Sequence, residues 1–451
     1  MTFRQKSKLN KLVLTLTLLL SSTIYAQDKS TFSIIEAENY SVENNQKIKN
    51  VQLDLEASEK KIWETIAIGL PQINAQGNFQ HFLDIPVSVV DAQVFNPLAP
   101  VGEIVEFKMG QTYSMSGTIN VNQLIFDGSY IVGLQFSKFY QKMIVTNVDR
   151  TTKEIKMMVR EAYYNTLVAQ KNVELMDSIL ASTKTLWNQT KVFFDNGFIL
   201  QEDLDQLELA YNRIQVNKNN ADNQYTIAKN LLKLQMGYKL EDIIELTENL
   251  DDIIKNISAN NPALKDFSVE NNFNYVMLSQ QMELDGYALK NEKAKYLPSL
   301  GAFLTYSQNA YRNDFDFFQD KPWYPTTVWG VGLTIPITSS GQKMMRVQQA
   351  EIKLEQDQNN LTEVEQALKF QELQLKVSFT SAYEMMLLEE KNITLAESIY
   401  MNSVNRKKEG AVNALNVTQM QNQLLQAQGS YIGAVMQVLK YKIELDKLYN
   451  Q

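Results

Sequence analysis

Any chemistry in this chain would fall to its carboxylates. The sequence holds 51 Asp and Glu residues, one histidine (His81) and no cysteine. That composition excludes thiolate nucleophiles, thiolate metal sites, disulfides and multi-histidine centres. The chain has no glycine-rich phosphate cradle and no nucleophile elbow. What remains is paired-carboxylate hydrolysis, in which one acid protonates the leaving group and the other attacks or activates water. The acids recur mostly at helical-surface spacing, however. Glu202, Asp205 and Glu208 read as a solvated helix face or as favourable charges in a first helical turn. The expectation is a protein without catalytic residues, bound metal or cofactor.

Charge narrows the partners. The formal net charge is −8. Arg4, Lys6, Lys8 and Lys11 precede an apolar stretch, Leu12 to Leu20, and a small, polar segment, Ser21 to Ala26. This order is that of a secretory signal peptide cleaved near Ala26, and the apolar stretch is too short to span a bilayer. Removing it leaves 39 basic against 51 acidic residues, a net of −12. An acidic chain with no basic block argues against nucleic acid. No other apolar run approaches the ~18 residues of a spanning helix.

The elements that must position any site come in duplicate. Gly128 recurs at Gly341 and Gly197 at Gly410, both offset by 213. The ladder Leu204, Leu207, Tyr211, Ile214, Lys218, Ala221, Tyr225, Ala228, Leu232, Gln235 recurs, at the same offset, as Val417, Met420, Leu424, Ala427, Tyr431, Ala434, Val438, Tyr441, Leu445, Leu448. An internal repeat of this length sets the architecture. A helix is expected over Thr31 to Ile68, ended by Pro71. The period then drops to two. Ile73, Ala75, Gly77 and Phe79 alternate with Asn74, Gln76 and Asn78; Tyr113, Met115, Gly117, Ile119 and Val121 alternate with Ser114, Ser116, Thr118 and Asn120. Such alternation marks strands with one apolar and one polar face. Strands are expected at 72–86, 111–126, 299–309 and 326–338, the last two carried by Leu300, Ala302, Leu304, Tyr306 and by Trp329, Val331, Leu333. Proline-rich and aromatic loops join them.

Each strand pair feeds a proline-free stretch, Ser129 to Asp195 and Ser340 to Lys408. As helices these would each be about 100 Å long. Shorter helices are expected over Gln201 to Met236, Pro262 to Tyr296 and Leu415 to Leu448. The domain organisation is thus a signal peptide (1–26), a first repeat (27–239), a connecting segment (240–260) and a second repeat (261–451).

Strands of this length suit a tilted span of the hydrocarbon core. Lipid tolerates no open sheet edge, and four strands cannot close a barrel. The chain must then assemble with copies of itself, unless the sheet is a soluble one resting on a core.

At this point the residues resemble the TolC family of outer-membrane efflux channels. The resemblance rests on the duplicated strand–strand–long helix–short helix order. It also rests on Asn45-Gln46-Lys47-Ile48 and Asn261-Pro262-Ala263-Leu264, on Leu70-Pro71 and Leu297-Pro298, and on the turns Val121 to Gly128 and Ile335-Pro336-Ile337 with Gly341. It implies a mainly α fold with a transmembrane β-barrel contribution: a homotrimer whose twelve strands share one barrel and whose helices form a periplasmic tunnel. It implies that Asn196, Gly197, Phe198, Glu409, Gly410 and Ala411 are hairpin tips that meet a periplasmic adaptor (a membrane fusion protein) and its inner-membrane transporter. His81 would lie in the lumen or at the barrel rim. The family's pore-constricting acids fall on Asn416 and Gln419, both neutral here, with Asp203 and Gln206 at the matching places of the first repeat, so that an acidic ring would have to come from Asp203. The expected function is an exit duct of a tripartite efflux pump, or of type I protein secretion, in the outer membrane. A structural coiled-coil protein of the envelope is the alternative of another class, and the amphipathic strands speak against it.

Overall fold

The computed structural model describes residues 31–450. The expected signal peptide lies outside them. The elements in chain order are β1 (Thr31–Phe32), α1 (Ile34–Asn44), α2 (Gln46–Ile68), β2 (Gln72–His81), β3 (Val87–Asp91), β4 (Ile104–Lys108), β5 (Tyr113–Phe126) and α3 (Gly128–Asp195). They continue with α4 (Gln201–Met236), β6 (Glu245–Leu246), α5 (Leu250–Ala259), α6 (Phe273–Ala294), β7 (Ser299–Arg312), β8 (Tyr324–Thr334), α7 (Gln342–Lys408) and α8 (Ala414–Leu448). The duplicated order of two strands, a very long helix and a shorter helix is therefore present. Among the described residues no helix is long and apolar enough to cross a membrane.

The expected helix from Thr31 to Ile68 is broken at Asn45. Its backbone is extended (φ −69°, ψ 130°). The side chain explains the break: Oδ1 accepts from the Lys47 N–H at 2.8 Å, starting α2, and Nδ2 donates to the Gln235 carbonyl at 2.7 Å. An Asx side chain satisfying a first-turn N–H is a helix start signal. The helix expected from Pro262 also begins later, at Phe273. Two single 3₁₀ turns, Pro262–Leu264 and Val269–Asn271, precede it; Asn261 caps the first of them, its side chain accepting from the Ala263 N–H at 2.9 Å.

Packing divides the chain into two compact units, each drawing on both repeats. One comprises the described residues to Gln52, with Val148–Phe273 and Glu365 onward. Its core surrounds fully buried Tyr163, whose hydroxyl donates to the Phe32 carbonyl at 2.9 Å. Phe32, Tyr40 and Tyr238 meet edge to face at 5.5–5.7 Å. Buried Glu38 and Asp446 both reach Arg160, at 2.7 and 3.1 Å. Burial opposes the Arg160 charge, but the two carboxylates more than offset it and hold its pKa above the usual value. The chain turns sharply at Gly237 (φ 73°), where a Cβ would stand 2.6 Å from the Asn44 carbonyl oxygen. All twenty ladder positions of α4 and α8 are buried or half-buried, as a heptad seam requires.

The other unit comprises Leu53–Asn147 and Asn274–Val364. It is built on an antiparallel sheet in the order β2-β5-β7-β8. The register aligns the alternations of all four strands. Ile73, Val121, Leu304 and Trp329 form one cross-sheet row, and Ala75, Ile119, Tyr306 and Thr327 the next on that face. The opposite face carries Gln76, Thr118, Ser307 and Thr326 in a row, with Asn78, Ser116 and Asn309 beside it. On that polar face the Thr305 hydroxyl donates to Asn120 Oδ1 at 2.8 Å.

The strand ends differ from the sequence pattern for local reasons. β2 stops at His81 instead of 86, opposite Tyr113, where its partner β5 begins. β8 stops at Thr334 instead of 338, ahead of Pro336. β7 runs on to Arg312 because β5 continues to pair with it to Tyr113. The segment expected as a loop between β2 and β5 folds a further hairpin, β3 with β4.

The repeated glycines at the strand-to-helix turns serve different needs. Gly341 sits at φ +84° with open space around it, a backbone state that side chains disfavour. At Gly128 the reason is close approach: a Cβ would lie 2.8 Å from Leu297 Cδ1 and 3.1 Å from the Ala294 carbonyl.

Candidate functional site

The hairpin tips are two versions of one turn. α3 ends in Gly197 at φ +78° and α7 in Gly410 at φ +74°. The Gly197 N–H donates to the Phe194 carbonyl (2.8 Å) and the Phe198 N–H to Phe193 (2.9 Å). The Gly410 N–H donates to Lys407 (3.0 Å) and the Ala411 N–H to Arg406 (2.8 Å). Both are Schellman motifs, which satisfy the last carbonyls of a helix through a left-handed residue. The first also has the motif's apolar contact, with the Phe193 and Phe198 rings 6.5 Å apart. Phe198 is otherwise exposed, at 76%.

Behind the tips lies a core of Ile179, Leu186, Leu207, Ile214, Tyr400, Val404, Val417 and Leu424. Polar groups are threaded through it. Buried Gln421 donates to the Thr183 hydroxyl at 2.6 Å, and Thr183 meets the Tyr400 hydroxyl at 3.4 Å. Trp187 stacks on Tyr211, rings 5.5 Å apart and nearly parallel.

The four constriction candidates have unlike surroundings. Asp203 lies at the start of α4. Its Oδ2 accepts from Lys407 Nζ at 3.0 Å and its Oδ1 from the Ala414 N–H at 3.1 Å. The carboxylate therefore binds the other hairpin, at the end of one helix and the start of the next. Burial pushes its pKa up, but the Lys407 hydrogen bond, the Ala414 N–H and the Lys407 charge together hold it below the usual carboxylate range. Asn416, its repeat equivalent, accepts instead from the Ser403 hydroxyl at 2.8 Å within its own hairpin. Gln206 is half-buried, and its side-chain oxygen has no hydrogen-bond partner. Gln419 is exposed.

Both tip segments border one cleft of about 1030 Å³. Phe193, Phe198 and Ile199 line it from the first hairpin; Gly410, Ala411 and Val412 line it from the second. Asp203 and Lys407 are also among its lining residues. Lys407 was not among the residues singled out in the sequence. The signal available was a basic run, Arg406-Lys407-Lys408, closing a long helix where cations are favoured. Among the described residues no group of His, Cys, Asp and Glu forms a metal site.

Residues 269–451 match the model of the outer membrane efflux protein family. The alkaline protease secretion protein AprF of Pseudomonas aeruginosa is 22% identical over 262 residues, covering 57% of this chain and 53% of that protein. The chain thus aligns with about half the length of this curated relative. Among solved structures, a CusC structure superposes with TM-score 0.71 at 13% identity, covering 92% of this chain and 91% of that one. The Campylobacter jejuni CmeC outer membrane channel gives 0.67 at 14% identity, covering 92% and 85%. The open-state Neisseria gonorrhoeae MtrE outer membrane channel gives 0.67 at 13%, covering 92% and 88%. At such identities the structural likeness is one of fold, and it extends over both repeats. Residues 269–451 thus carry the sequence signature of the outer membrane efflux protein family, and the fold of outer-membrane channel structures extends over both repeats.

Proposed function

We propose that the protein is the outer-membrane exit duct of a tripartite efflux pump. It is a passive channel: it performs no chemistry, and a partner transporter supplies the energy. The observation that carries this reading is the cross-sheet row Ile73, Val121, Leu304 and Trp329. Trp329 is 76% exposed and Ile73 69%. In water such a face would be costly; against lipid it is favourable, with the polar rows lining an aqueous lumen. β2 and β8 each have one neighbour in the sheet. In hydrocarbon those free edges must be paired. Three copies would pair β8 of one protomer with β2 of the next and close twelve strands.

The signal peptide ending near Ala26 would deliver the chain across the inner membrane. Asn196, Gly197, Phe198, Glu409, Gly410 and Ala411 would receive a periplasmic adaptor bound to an inner-membrane transporter. Adaptor engagement would part the hairpins and widen the pore. A second reading, the exit channel of a type I secretion system, is favoured by the likeness to a protein named for protease secretion. The duct itself is the same in both.

The test is the mass of the full protein extracted from outer membranes in mild detergent, read by native mass spectrometry. A particle of three chain masses is expected. A monomer recovered from the soluble periplasmic fraction would overturn the channel reading.

A further inference from the structure

The loop from β7 to β8, residues 313–323, folds over one face of the sheet. The register places Phe79, His81, Tyr113, Met115, Ala310 and Arg312 on the apolar face. The Phe315 ring meets Phe79 at 5.7 Å and Tyr113 at 6.0 Å, and Phe317 meets Phe79 at 5.9 Å. His81 stacks on Tyr113 at 4.4 Å and extends the platform. Beneath the loop Ala310 is fully buried, and Phe317 is 5% exposed. Charge pins it there. Arg312 pairs with Asp316 at 3.2 Å and donates to the Pro322 carbonyl at 2.8 Å, and Lys321 pairs with Asp316 from the other side. Gln80, Ser114 and Tyr311 occupy the same level on the polar face. Among the described residues, every ring contact the loop makes outside itself goes to the apolar face.

We infer that this loop is an aromatic flange seated in the headgroup layer of the bilayer, outside the barrel wall, and not a lid across the lumen. The inference rests on the membrane-spanning reading of the sheet. Two features select lipid as the occupant. The flange continues the apolar face of the strands, at the strand ends opposite those that connect to the helices. Its outermost rings, Phe315 and Phe318, stand 6.2 Å apart, and Phe318 is 88% exposed. Aromatic rings on a polar, charged scaffold suit the boundary between headgroups and acyl chains.

The absence of cysteine makes a direct test available. Phe318→Cys, Trp329→Cys and Thr326→Cys are each nitroxide-labelled in the full protein. Each is reconstituted into phosphatidylethanolamine–phosphatidylglycerol vesicles. The readout is the ratio of collisions with oxygen, which favours lipid, to collisions with a water-soluble nickel complex. At 318 the ratio is expected to fall between the high value at 329 on the apolar face and the low value at 326 on the polar face. A fully aqueous ratio at 318 with a lipid ratio at 329 overturns the flange and leaves the membrane sheet standing. An aqueous ratio at 329 overturns both.

Discussion

Asp203 and Lys407 lie 204 residues apart in sequence and 3.0 Å apart in space, and their ion pair joins the two hairpin tips. The other Asp203 oxygen takes the Ala414 N–H, the start of the helix that follows. The repeat does not duplicate this clasp, since Asn416 turns to Ser403 of its own hairpin. If the tips part when the duct opens, this is a bond that must break.

Asp203→Asn and Lys407→Met should each weaken the clasp. The lysine side chain is 9% exposed and the aspartate 27%. The pair should therefore show a coupling of about 0.5–1 kcal/mol in a double-mutant cycle. Single-channel recordings in planar bilayers should show a larger open fraction for both variants. The depressed Asp203 pKa adds a pH dependence. The stabilisation is full above the unfolded carboxylate value of about 4 and is lost as pH falls through the lower folded value. Unchanged gating in both variants at neutral pH would remove the clasp from the opening step.

Glycines of nearly equal φ should differ in tolerance. Gly410→Ala meets nothing within 4 Å and should cost about 1–2 kcal/mol from its left-handed backbone alone. Gly237→Ala carries the same strain and drives a methyl group to 2.6 Å from the Asn44 carbonyl oxygen. A further penalty of about 1–3 kcal/mol is expected for displacing packed atoms. Urea unfolding in detergent should rank the two variants in that order; equal midpoints would contradict the close approach.

Asp285 on α6 faces Asp357 on α7. Lys353 Nζ lies 2.6 Å from Asp357 Oδ1 and 3.8 Å from Asp285 Oδ2. The other Asp357 oxygen has no donor. Burial, and then the facing Asp357, raise the Asp285 pKa, against Gln281 and Lys353. A raised carboxyl pKa contributes stability below the unfolded value of about 4, and that contribution is lost as pH rises through the folded value. Asp285→Asn should remove this acid-range dependence and raise the thermal midpoint at neutral pH. A lowered midpoint would mean that the negative charge is needed there for Lys353.

The two sheet faces should tolerate charge differently. Trp329→Arg puts a cation on the apolar row and should cost about 2–4 kcal/mol if that row faces the bilayer midplane. Ser116→Arg, on the polar face beside Asn78 and Asn309, should assemble normally. The fraction of protein recovered as a heat-resistant oligomer from outer membranes reads both. Equal loss for the two variants would deny that the sheet separates lipid from lumen.

Much of this was legible in the chain because it is periodic. The 213-residue offset, the alternation at Ile73 and Tyr113, and the seam of α4 and α8 are local patterns, and local geometry obeys them. The helix break at Asn45 was hidden, because an Asn amid good helix formers is unremarkable until the Gln235 carbonyl arrives to bind it. The β3–β4 hairpin was also missed, since prolines and glycines around short apolar runs read as loop.

By itself the sequence determined the duplication, the kinds of element and their order, the two-faced strands, and the recurrence of a glycine between helices at Gly197 and Gly410. Tertiary structure alone decided which side of the sheet each strand presents, because a one-residue slip in register would have scattered the row from Ile73 to Trp329 over both faces. It also decided what Asp203 does. A carboxylate's role depends on the charge that stands opposite it, and Lys407 comes from another helix at a distance no spacing rule measures.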